Sequence, residues 1–458
     1  MQIEYIQNEV TNTCNTIHVY NVYVFKTTSN KFLCNFEMRD CQIIHYNLFF
    51  LPTMITNLSL LRKTNPSILS TLSFNQWCSS TSSFSSTTLT PTTHIAGVPL
   101  GETSNVPPTL IPKVGRNLHL QKGHPLNTIK QIIESHFKSR NFACFDDLLP
   151  VVTTKACFDD LLTPKDHISR SLSDTYYIDP QEDLVLRTHT SAHQNELMQA
   201  GHRSFLATGD VYRRDEIDSS HYPCFHQMEG VHIFDPKELP GAPQSPESIQ
   251  YVEAHLKETL EGVIGVLFPH CETRWGNDSF PFTNPSFELE VWYNDEWLEV
   301  LGCGVVHKQI LSNCDLGHTD GWAFGLGLER LAMVLFNIPD IRLFWSEDVR
   351  FLSQFSENEL TTFKPFSKYP PCFKDVSFWL PSNFHENDLY EEIRNVAGDV
   401  VEDVTLIDEF VHPKTNKKSH AYRITYRHMS RTLTDTEVDE MQAQVRVALG
   451  TELGCEVR

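Results

Sequence analysis

The stretch Arg203–Phe234 concentrates charged side chains between two apolar segments. Arg213, Arg214 and Asp215 stand together after an alternating apolar run, and the sequence FHQMEG opens the second run. Such alternation predicts two strands joined by a polar loop. Because a guanidinium fork fits phosphate oxygens and a carboxylate fits an ammonium group, the loop suits a ligand that carries both. A solvated surface hairpin explains this stretch equally well on its own.

His189 and His193 lie four residues apart in the upstream sequence LVLRTHTSAHQNELMQA. A short strand that runs into a helix is expected here, and the spacing would place both rings on one helix face, as in some metal sites. The HExxH glutamate is absent and no third ligand stands close by. The pattern therefore favours histidines with ordinary hydrogen-bond partners over a metal centre.

Phe280 and Phe282 stand two apart at the start of SFPFTNPSFELEVWY, which alternates like a strand. Residues two apart in a strand point the same way, so the two rings can line one pocket. The alternative is that both belong to the core. The sequence WLEVLGCGVV, beyond a turn at Asn294 and Asp295, predicts the partner strand.

The sequence GLGLER, ending at Arg330, passes from a glycine-rich strand into a helix. It contains GxG, but Arg330 stands where a dinucleotide fingerprint needs its last glycine. Glycines allow close approach of a ligand to the backbone, and an arginine at a helix start suits a nucleotide phosphate. Upstream, Leu126–Phe137 and Glu247–Phe268 show apolar residues at helical spacing.

The tail 366–458 follows the proline-marked sequence KPFSKYPP and predicts strand, helix, strand, strand, helix, strand. This βαββαβ order is the ferredoxin-like arrangement, which has many uses. Its basic residues gather around one predicted hairpin and favour contact with a phosphate backbone over simple solvation. They are Lys414, Lys417, Lys418, Arg423 and Arg427, with Arg431 close by.

The whole chain of 458 residues is acidic, with 37 Lys and Arg against 58 Asp and Glu. This balance argues against general coating of polyanions but allows a local basic face. The 12 cysteines form no CxxC pair, which argues against a zinc ribbon or a redox dithiol. No apolar run is long enough to predict a transmembrane helix.

Residues 1–105 are expected to form an N-terminal extension that is largely disordered, with order beginning near Val106. Between Cys41 and Gly101 there is no acidic residue, and Ser and Thr dominate part of the segment. From Met54 onward this composition is typical of an organellar transit peptide, although it is poor in arginine. A disordered linker is the alternative.

Taken together, the motifs make the chain resemble phenylalanyl-tRNA synthetase in its single-chain organellar form. RTHTSAHQ, GDVYRRDEIDSSHYPCFHQMEG, GLGLERLAM and the C-terminal module occur in the order of that family, from about His124 to Arg458. The resemblance implies an α+β chain, with a class II catalytic domain at 106–360 built on an antiparallel sheet with flanking helices. A ferredoxin-fold anticodon-binding domain would follow at 361–458, and its basic residues would contact tRNA.

The resemblance also implies the substrates: ATP with Mg²⁺, L-phenylalanine and tRNA(Phe). It implies that phenylalanyl-adenylate forms first and that the amino acid then passes to the terminal ribose of the tRNA. Nothing in the chain resembles the large editing subunit of the heterotetrameric enzymes, which implies a monomer without a separate β subunit. An organellar enzyme would act in the mitochondrial matrix, with a plastid as the alternative.

Individual residues take roles from the same resemblance. Arg213 is similar to the family's arginine on the α-phosphate and Arg330 to the one near the γ-phosphate, while His221 and Phe225 match the phosphate contact and the adenine stacker. The phenylalanine site would comprise His189, Ser191, Gln194, Asp215, Gln227, Glu229, Phe280, Phe282 and Ala323. Glu299 would be a magnesium ligand. Asp215 departs from the family pattern, since many members have glutamate there.

Two other classes of protein remain open at this point. A synthetase-like protein that binds RNA or amino acid without aminoacylation would usually lack a motif arginine or the C-terminal module, and both are present here. A zinc hydrolase that uses His189, His193 and nearby acids predicts one tightly bound zinc.

Overall fold

This computed structural model describes residues 94–366 and 369–458, together with the backbone of two short paired strands, β1 (Tyr23–Lys26) and β2 (Phe32–Asn35). The segment 54–93, which contains most of the expected transit peptide, lies outside the described residues. Residues 1–88 and 89–458 form two separate units, and everything below concerns the second. Within the described residues, no helix has the length and apolarity needed to cross a membrane.

Folded structure begins upstream of Val106, earlier than the sequence predicted. The strands β3 (His94–Ile95) and β4 (Val98–Pro99) pair as a hairpin, and the Gly101 N–H donates to the Ile178 carbonyl at 3.0 Å. Ile95 is only 2% exposed and belongs to the main apolar core. A buried isoleucine and backbone hydrogen bonds thus hold a segment whose composition resembles that of a linker.

Residues 94–366 form a sheet-based domain with helices packed around it. Its further strands are β5 (Ala143–Phe145), β6 (Val151–Thr153), β7 (Tyr177–Asp179), β8 (Leu184–Leu186), β9 (Ser204–Tyr212), β10 (Cys224–Ile233), β11 (Thr273–Asp278), β12 (Thr283–Tyr293), β13 (Glu296–Val306) and β14 (Gly321–Gly327). Its α-helices are α1 (Pro125–Lys138), α2 (Thr154–Cys157), α3 (Gln194–Gln199), α4 (Pro246–Leu267), α5 (Lys308–Asn313), α6 (Leu328–Phe336) and α7 (Val349–Leu352).

The central sheet has seven strands in the order β11-β12-β13-β14-β10-β9-β5, and all neighbours are antiparallel except β5 and β9. This confirms the antiparallel sheet that the sequence predicted. The helical periodicity is also confirmed, because Leu126, Ile129, Ile133 and Phe137 of α1 are fully buried. Burial of such side chains stabilises the domain by about 1.5–3 kcal/mol each.

The C-terminal module is the predicted ferredoxin-like fold. It consists of β15 (Cys372–Trp379), α8 (Glu386–Ala397), β16 (Val401–Val411), β17 (Lys418–Tyr426), α9 (Asp435–Thr451) and β18 (Glu456–Val457). The sheet order β16-β17-β15-β18 places the first and third strands of the module in the centre. Alternate residues Tyr422, Ile424 and Tyr426 are fully buried beneath the helices.

Candidate active site

Several of the predicted site residues lie on one face of the central sheet. Side chains of a strand alternate between faces, so Phe225, Gln227 and Glu229 of β10 share one face. The register places Gly325 of β14 opposite Glu229, and Gly302 of β13 opposite Gly325. Because glycines have no side chain, side chains that border the site can lie close to the sheet here, with Phe280 over Gly302 and Gln227 over Gly325.

Arg213 lies at the end of β9, beside one edge of this face. Its Nε donates to the Thr188 carbonyl at 2.8 Å, and its guanidinium carbon lies 5.3 Å from the centre of the Phe225 ring. Burial lowers the pKa of Arg213, but a guanidinium stays charged at neutral pH. The structure thus brings together a fixed cation and an aromatic face, which suits a phosphate next to a purine.

His221 closes the loop between β9 and β10. Its Nδ1 lies 2.8 Å from the Asp218 carboxylate and 3.4 Å from that of Glu216. The hydrogen bond to Asp218 raises the pKa of His221 above its ordinary value. The ring therefore keeps more positive charge near neutral pH than a free histidine, as a phosphate contact requires.

Asp215 lies in this loop and not with the other residues predicted to bind phenylalanine. Its carboxylate, that of Glu216 and the His221 ring offer ligand atoms within 4.8 Å of one another. Its charge also faces Arg213, whose pKa it raises against the effect of burial. The structure therefore groups Asp215 with the residues expected around ATP, and its role toward the ammonium group stays a prediction.

A second group of polar side chains lies under the turn Thr190–His193 and on β10. His189 Nδ1, Thr190 Oγ1, both polar atoms of Gln194 and Glu229 Oε2 are buried without a hydrogen-bond partner. Buried polar atoms in folded proteins nearly always have a partner, so such a concentration points to a bound polar molecule. Gln227 belongs to the same group, since its Oε1 accepts from the Thr190 N–H at 3.3 Å.

Glu229 is the acidic member of this group and is only 3% exposed. Burial raises its pKa to about 8, and a hydrogen bond with Ser191 acts in the opposite direction. His189 is the neutral member, because burial and the nearby Arg213 lower its pKa to about 3. An ammonium group that reached Glu229 would find a buried carboxylate oxygen, Oε2, that has no hydrogen-bond partner.

Phe280 and Phe282 border the same region from the apolar side. Their rings are stacked, with centroids 5.6 Å apart and planes tilted by 6°. The Phe282 ring lies 6.5 Å from that of His189 and packs on the apolar cluster that includes Ala323. The structure thus brings together the aromatic pair, the predicted pocket wall and the polar group, which agrees with a pocket for an aromatic amino acid.

Gly302 supports this aromatic pair from below. A Cβ at this position would lie 2.7 Å from Cζ of Phe280, closer than real Cβ atoms approach. We predict that Gly302→Ala displaces the Phe280 ring and raises the KM for phenylalanine about tenfold with little change in the KM for ATP. ATP–pyrophosphate exchange measures both. Gly265→Ala, where a Cβ would meet nothing within 4 Å, is the control; equal KM shifts in both variants would contradict the prediction.

Arg330 and its neighbour Glu329 open α6 and point in different directions. Arg330 is half exposed, and its Nη1 lies 3.3 Å from the Glu299 carbonyl. Glu329 is buried and accepts from both the backbone N–H and Nδ1 of His226, each at 2.7 Å. Since His226 lies between Phe225 and Gln227, this carboxylate fixes the helix that carries Arg330 to the strand that carries two other site residues.

Glu299 reaches the site face because of a β-bulge. The register of β12 and β13 shifts between the pairs Leu289–Leu301 and Glu290–Glu299, so Val300 is the extra residue. Glu299 then lies near Arg330. Desolvation raises the pKa of Glu288, and the charge of Glu299 raises it further. Two carboxylates that repel each other suit a hard cation such as Mg²⁺, which binds one or two carboxylates together with phosphates.

His193 is not a metal ligand in this arrangement. Its Nε2 lies 2.8 Å from Nη1 of Arg187 and its Nδ1 lies 2.6 Å from the Glu196 carboxylate, so both ring nitrogens have partners. In the described part of the chain, the group of three residues able to hold a metal is Asp215, Glu216 and His221. A zinc centre built on His189 and His193 therefore finds no support.

The basic residues of the C-terminal module lie along the β16–β17 hairpin, and they do not all meet at one point. Lys414, Lys417 and Lys418 surround the tip of the β16–β17 hairpin, whereas Arg427 lies beyond the other end of β17. Nine residues of strand separate the two ends by about 30 Å. Arg423 lies between them.

Carboxylates from other strands neutralise several of these cations. Arg423 forms two hydrogen bonds with Asp375 at 2.8 Å, Lys417 lies 3.0 Å from Glu456, and Arg427 lies 3.0 Å from Glu402. The sequence could not show this, because each partner comes from a distant part of the chain. Lys414 and Lys418 at the tip are exposed, and they are the strongest candidates for contact with a phosphate backbone.

Three supporting groups were missed from the sequence. The buried pair Arg187 and Asp210, 2.8 Å apart, lies beside β9, and Gly209 permits it, because a Cβ there would lie 2.0 Å from Nη2 of Arg187. The carboxylate of Glu329 and the hydroxyl of Thr190 are the others. Gly209 next to Asp210 in a predicted strand is a sequence signal that could have pointed to a buried partner such as Arg187. The sequence around Glu329 and Thr190 carries no comparable signal.

Two family models match the chain. The model described as tRNA synthetases class II core domain (F) matches residues 111–355, and the ferredoxin-fold anticodon binding domain matches residues 367–458. Together with the antiparallel sheet and the arginine-bearing site, these matches define the class: a class II aminoacyl-tRNA synthetase core followed by an anticodon-binding domain.

Relatives narrow the class further. The chain is 53% identical to the chloroplastic/mitochondrial phenylalanine–tRNA ligase of Arabidopsis thaliana, over 78% of this chain and 83% of that protein. It is 50% identical to the mitochondrial phenylalanine–tRNA ligase of Mus musculus, over 79% and 87%, and 46% identical to that of Dictyostelium discoideum, over 78% and 90%. The chain belongs to the phenylalanine–tRNA ligase family, as its motifs predicted.

Proposed function

We propose that this chain is a phenylalanine–tRNA ligase of an organelle. It activates L-phenylalanine with ATP, releases diphosphate, and transfers the phenylalanyl group from the adenylate to the terminal ribose of tRNA(Phe). The observation that carries the proposal is the group of unpartnered buried polar atoms on His189, Gln194 and Glu229, which lies between Arg213 and the stacked rings of Phe280 and Phe282.

The proposed chemistry requires no nucleophilic side chain. The substrate carboxylate attacks the α-phosphorus, so the protein has only to align the two reactants and neutralise charge on phosphate oxygens. Arg213, His221 and Arg330 supply positive charge, and Phe225 supplies a face for the adenine. Mg²⁺ bound with ATP would lower the charge on the phosphates, and Glu299 with Glu288 would hold it.

The amino-acid half works by a different principle. Glu229, Gln227 and His189 would orient the α-ammonium and carboxylate groups, while Phe280, Phe282 and Ala323 enclose the phenyl ring. Because these groups sit on β10 and on buried turns, their positions are fixed before the substrate arrives. Such preorganisation keeps the reacting carboxylate aimed at the phosphate.

Further parts of the proposal concern the assembly and its location. We place the catalytic domain at 106–360 and the anticodon-binding domain at 361–458, in a monomer that acts without a β subunit. The relatives named above are organellar enzymes, and the mitochondrial matrix, or a plastid, is the proposed compartment. A reporter fused behind residues 54–94 tests the compartment, since a diffuse cytosolic signal would contradict targeting from Met54.

Aminoacylation of a total organellar tRNA pool with each of the twenty amino acids tests the activity. We expect phenylalanine to be attached far faster than any other amino acid, and only to tRNA(Phe). If the protein binds tRNA but attaches no amino acid to it, ligase activity is excluded.

A further inference from the structure

The loop Arg213–Ser220, which links the two strands of the candidate ATP site, is held by the C-terminal module. We name it the ATP loop, since it contains Asp215 and ends beside His221. The catalytic domain bonds the loop near its two ends, since the Arg214 N–H donates to the Asp174 carbonyl at 2.9 Å and the Ile341 N–H donates to the Ser219 carbonyl at 2.8 Å. Between these ends, further anchors come from α8 and β16 of the module.

The first anchor is apolar. Ile217 of the ATP loop is 7% exposed and belongs to the hydrophobic core of the C-terminal module, together with Val376, Leu389 and Val404. Burial of an isoleucine contributes about 1.5–3 kcal/mol. In an isolated catalytic domain this side chain would be exposed to solvent. No apolar contact would then hold the loop in the conformation seen here.

The second anchor is a set of hydrogen bonds to the loop's own carbonyl groups. Nη2 of Arg394 donates to the Asp215 carbonyl at 2.8 Å and to the Glu216 carbonyl at 3.2 Å. The Val404 N–H donates to the Ile217 carbonyl at 3.0 Å, and Nδ2 of Asn387 donates to the Arg214 carbonyl at 3.2 Å. Four successive loop carbonyls, at positions 214 to 217, are thus bonded to the module.

Arg394 is suited to hold this position rigidly. It is 8% exposed, and its Nη1 donates to the Glu391 carboxylate, which also accepts from Tyr176 of the catalytic domain at 2.9 Å. A planar guanidinium fixed by one carboxylate presents its other edge in a set direction. Arg394 is therefore a connection between the module's helix and the loop that carries substrate-facing groups.

We propose that Arg394 is a positioning residue for ATP, so that the anticodon-binding domain sets the geometry of the ATP site even when no tRNA is bound. This rests on the proposed function. The amino-acid half is not held in this way, because Glu229 and Gln227 lie within β10 and His189 lies in the turn before α3. Loss of Arg394 should therefore weaken ATP binding selectively.

ATP–pyrophosphate exchange without tRNA tests the proposal on the full-length chain. For Arg394→Gln we expect the KM for ATP to rise about tenfold, within the usual range of coupling between sites, while the KM for phenylalanine stays within about twofold of wild type. For Arg394→Lys, which keeps a charge and a donor, the KM for ATP should lie between the values of wild type and Arg394→Gln. Arg446→Gln, which removes a hydrogen bond to the Arg458 carbonyl elsewhere in the module, should leave both values unchanged.

Hydrogen exchange provides a second measurement that does not depend on activity. The amides of residues 214–220 should exchange faster in Arg394→Gln than in wild type or Arg446→Gln, while those of β9 and β10 keep their protection. Unchanged loop protection, or equal shifts of both KM values, would overturn the positioning role. If wild type shows no exchange of pyrophosphate with phenylalanine, the proposed function fails, and loop protection alone decides on Arg394.

Discussion

Arg213→Ala is expected to lower ATP–pyrophosphate exchange by about 10²- to 10³-fold while the protein stays folded. The expectation follows from its place at the end of β9, where Nε is fixed by the Thr188 carbonyl and the guanidinium lies against Phe225. Removal of one preorganised donor from developing negative charge typically costs that factor. Arg213→Lys should recover only part of it, because an ammonium lacks the planar fork.

Arg203→Ala is the matched control for this experiment. Arg203 precedes the same strand, is exposed, and donates only to the nearby Met198 carbonyl at 3.2 Å. Its loss should leave exchange near the wild-type rate. Circular dichroism and thermal unfolding establish that each variant is folded. Exchange near the wild-type rate in a folded Arg213→Ala protein would refute the assigned role.

Glu229 is expected to make phenylalanine binding strongly dependent on pH. Burial raises the pKa of its carboxyl from an ordinary value of 4.5 to about 8 in the empty site, so below pH 8 the free protein mostly holds the proton. An ammonium ligand favours the ionised form, and binding must then release this proton. The dissociation constant for phenylalanine should therefore increase as pH falls below about 8, approaching tenfold per pH unit.

Calorimetry in buffers of different ionisation enthalpy measures this proton release directly. We expect close to one proton per phenylalanine at pH 7 for wild type and none for Glu229→Gln. The variant should bind phenylalanine about 10²-fold more weakly at pH 8, because a buried ammonium loses its countercharge. A wild-type affinity that is independent of pH between 6 and 8 would contradict this account.

The raised pKa of Glu229 also determines how its contribution to the free energy of unfolding changes with pH. The folded site keeps a proton between pH 4.5 and about 8 that the unfolded chain has released, so the contribution of Glu229 to the free energy of unfolding falls as pH rises through this range. Glu229→Gln removes that dependence and should be no less stable than wild type above pH 8. Weak binding by this variant thus cannot be attributed to unfolding.

The sequence was sufficient for features that depend on local patterns. Alternation predicted β9 and β10, helical spacing predicted the buried face of α1, and the strand and helix order of the tail predicted its ferredoxin-like fold. The resemblance then supplied residues that the structure brings together, such as Glu229, His189 and Phe282. These features were accessible because period and motif order are properties of neighbouring residues.

Features that depend on distant partners were not accessible. Two of the basic residues of the tail, Arg423 and Lys417, are paired with Asp375 and Glu456, which approach them from other strands. Ile217 stands among charged residues and looks like part of a solvated loop, yet it enters the core of a module more than 150 positions downstream. Glu329 lies in a motif that drew attention only to Arg330, and its bond to His226 follows from tertiary contact alone.

The contact between the Ile217 carbonyl and the Val404 N–H also bears on solubility. β16 is an outer strand of its sheet, and an outer strand offers unpaired backbone groups to any other extended chain. Farther along it, Ile407, Phe410 and Val411 are exposed beside Asp408 and Glu409, so the uncovered part of this edge is partly apolar. The catalytic domain thus shields one end of a surface prone to aggregation, and the C-terminal module produced alone should self-associate more readily than the full chain.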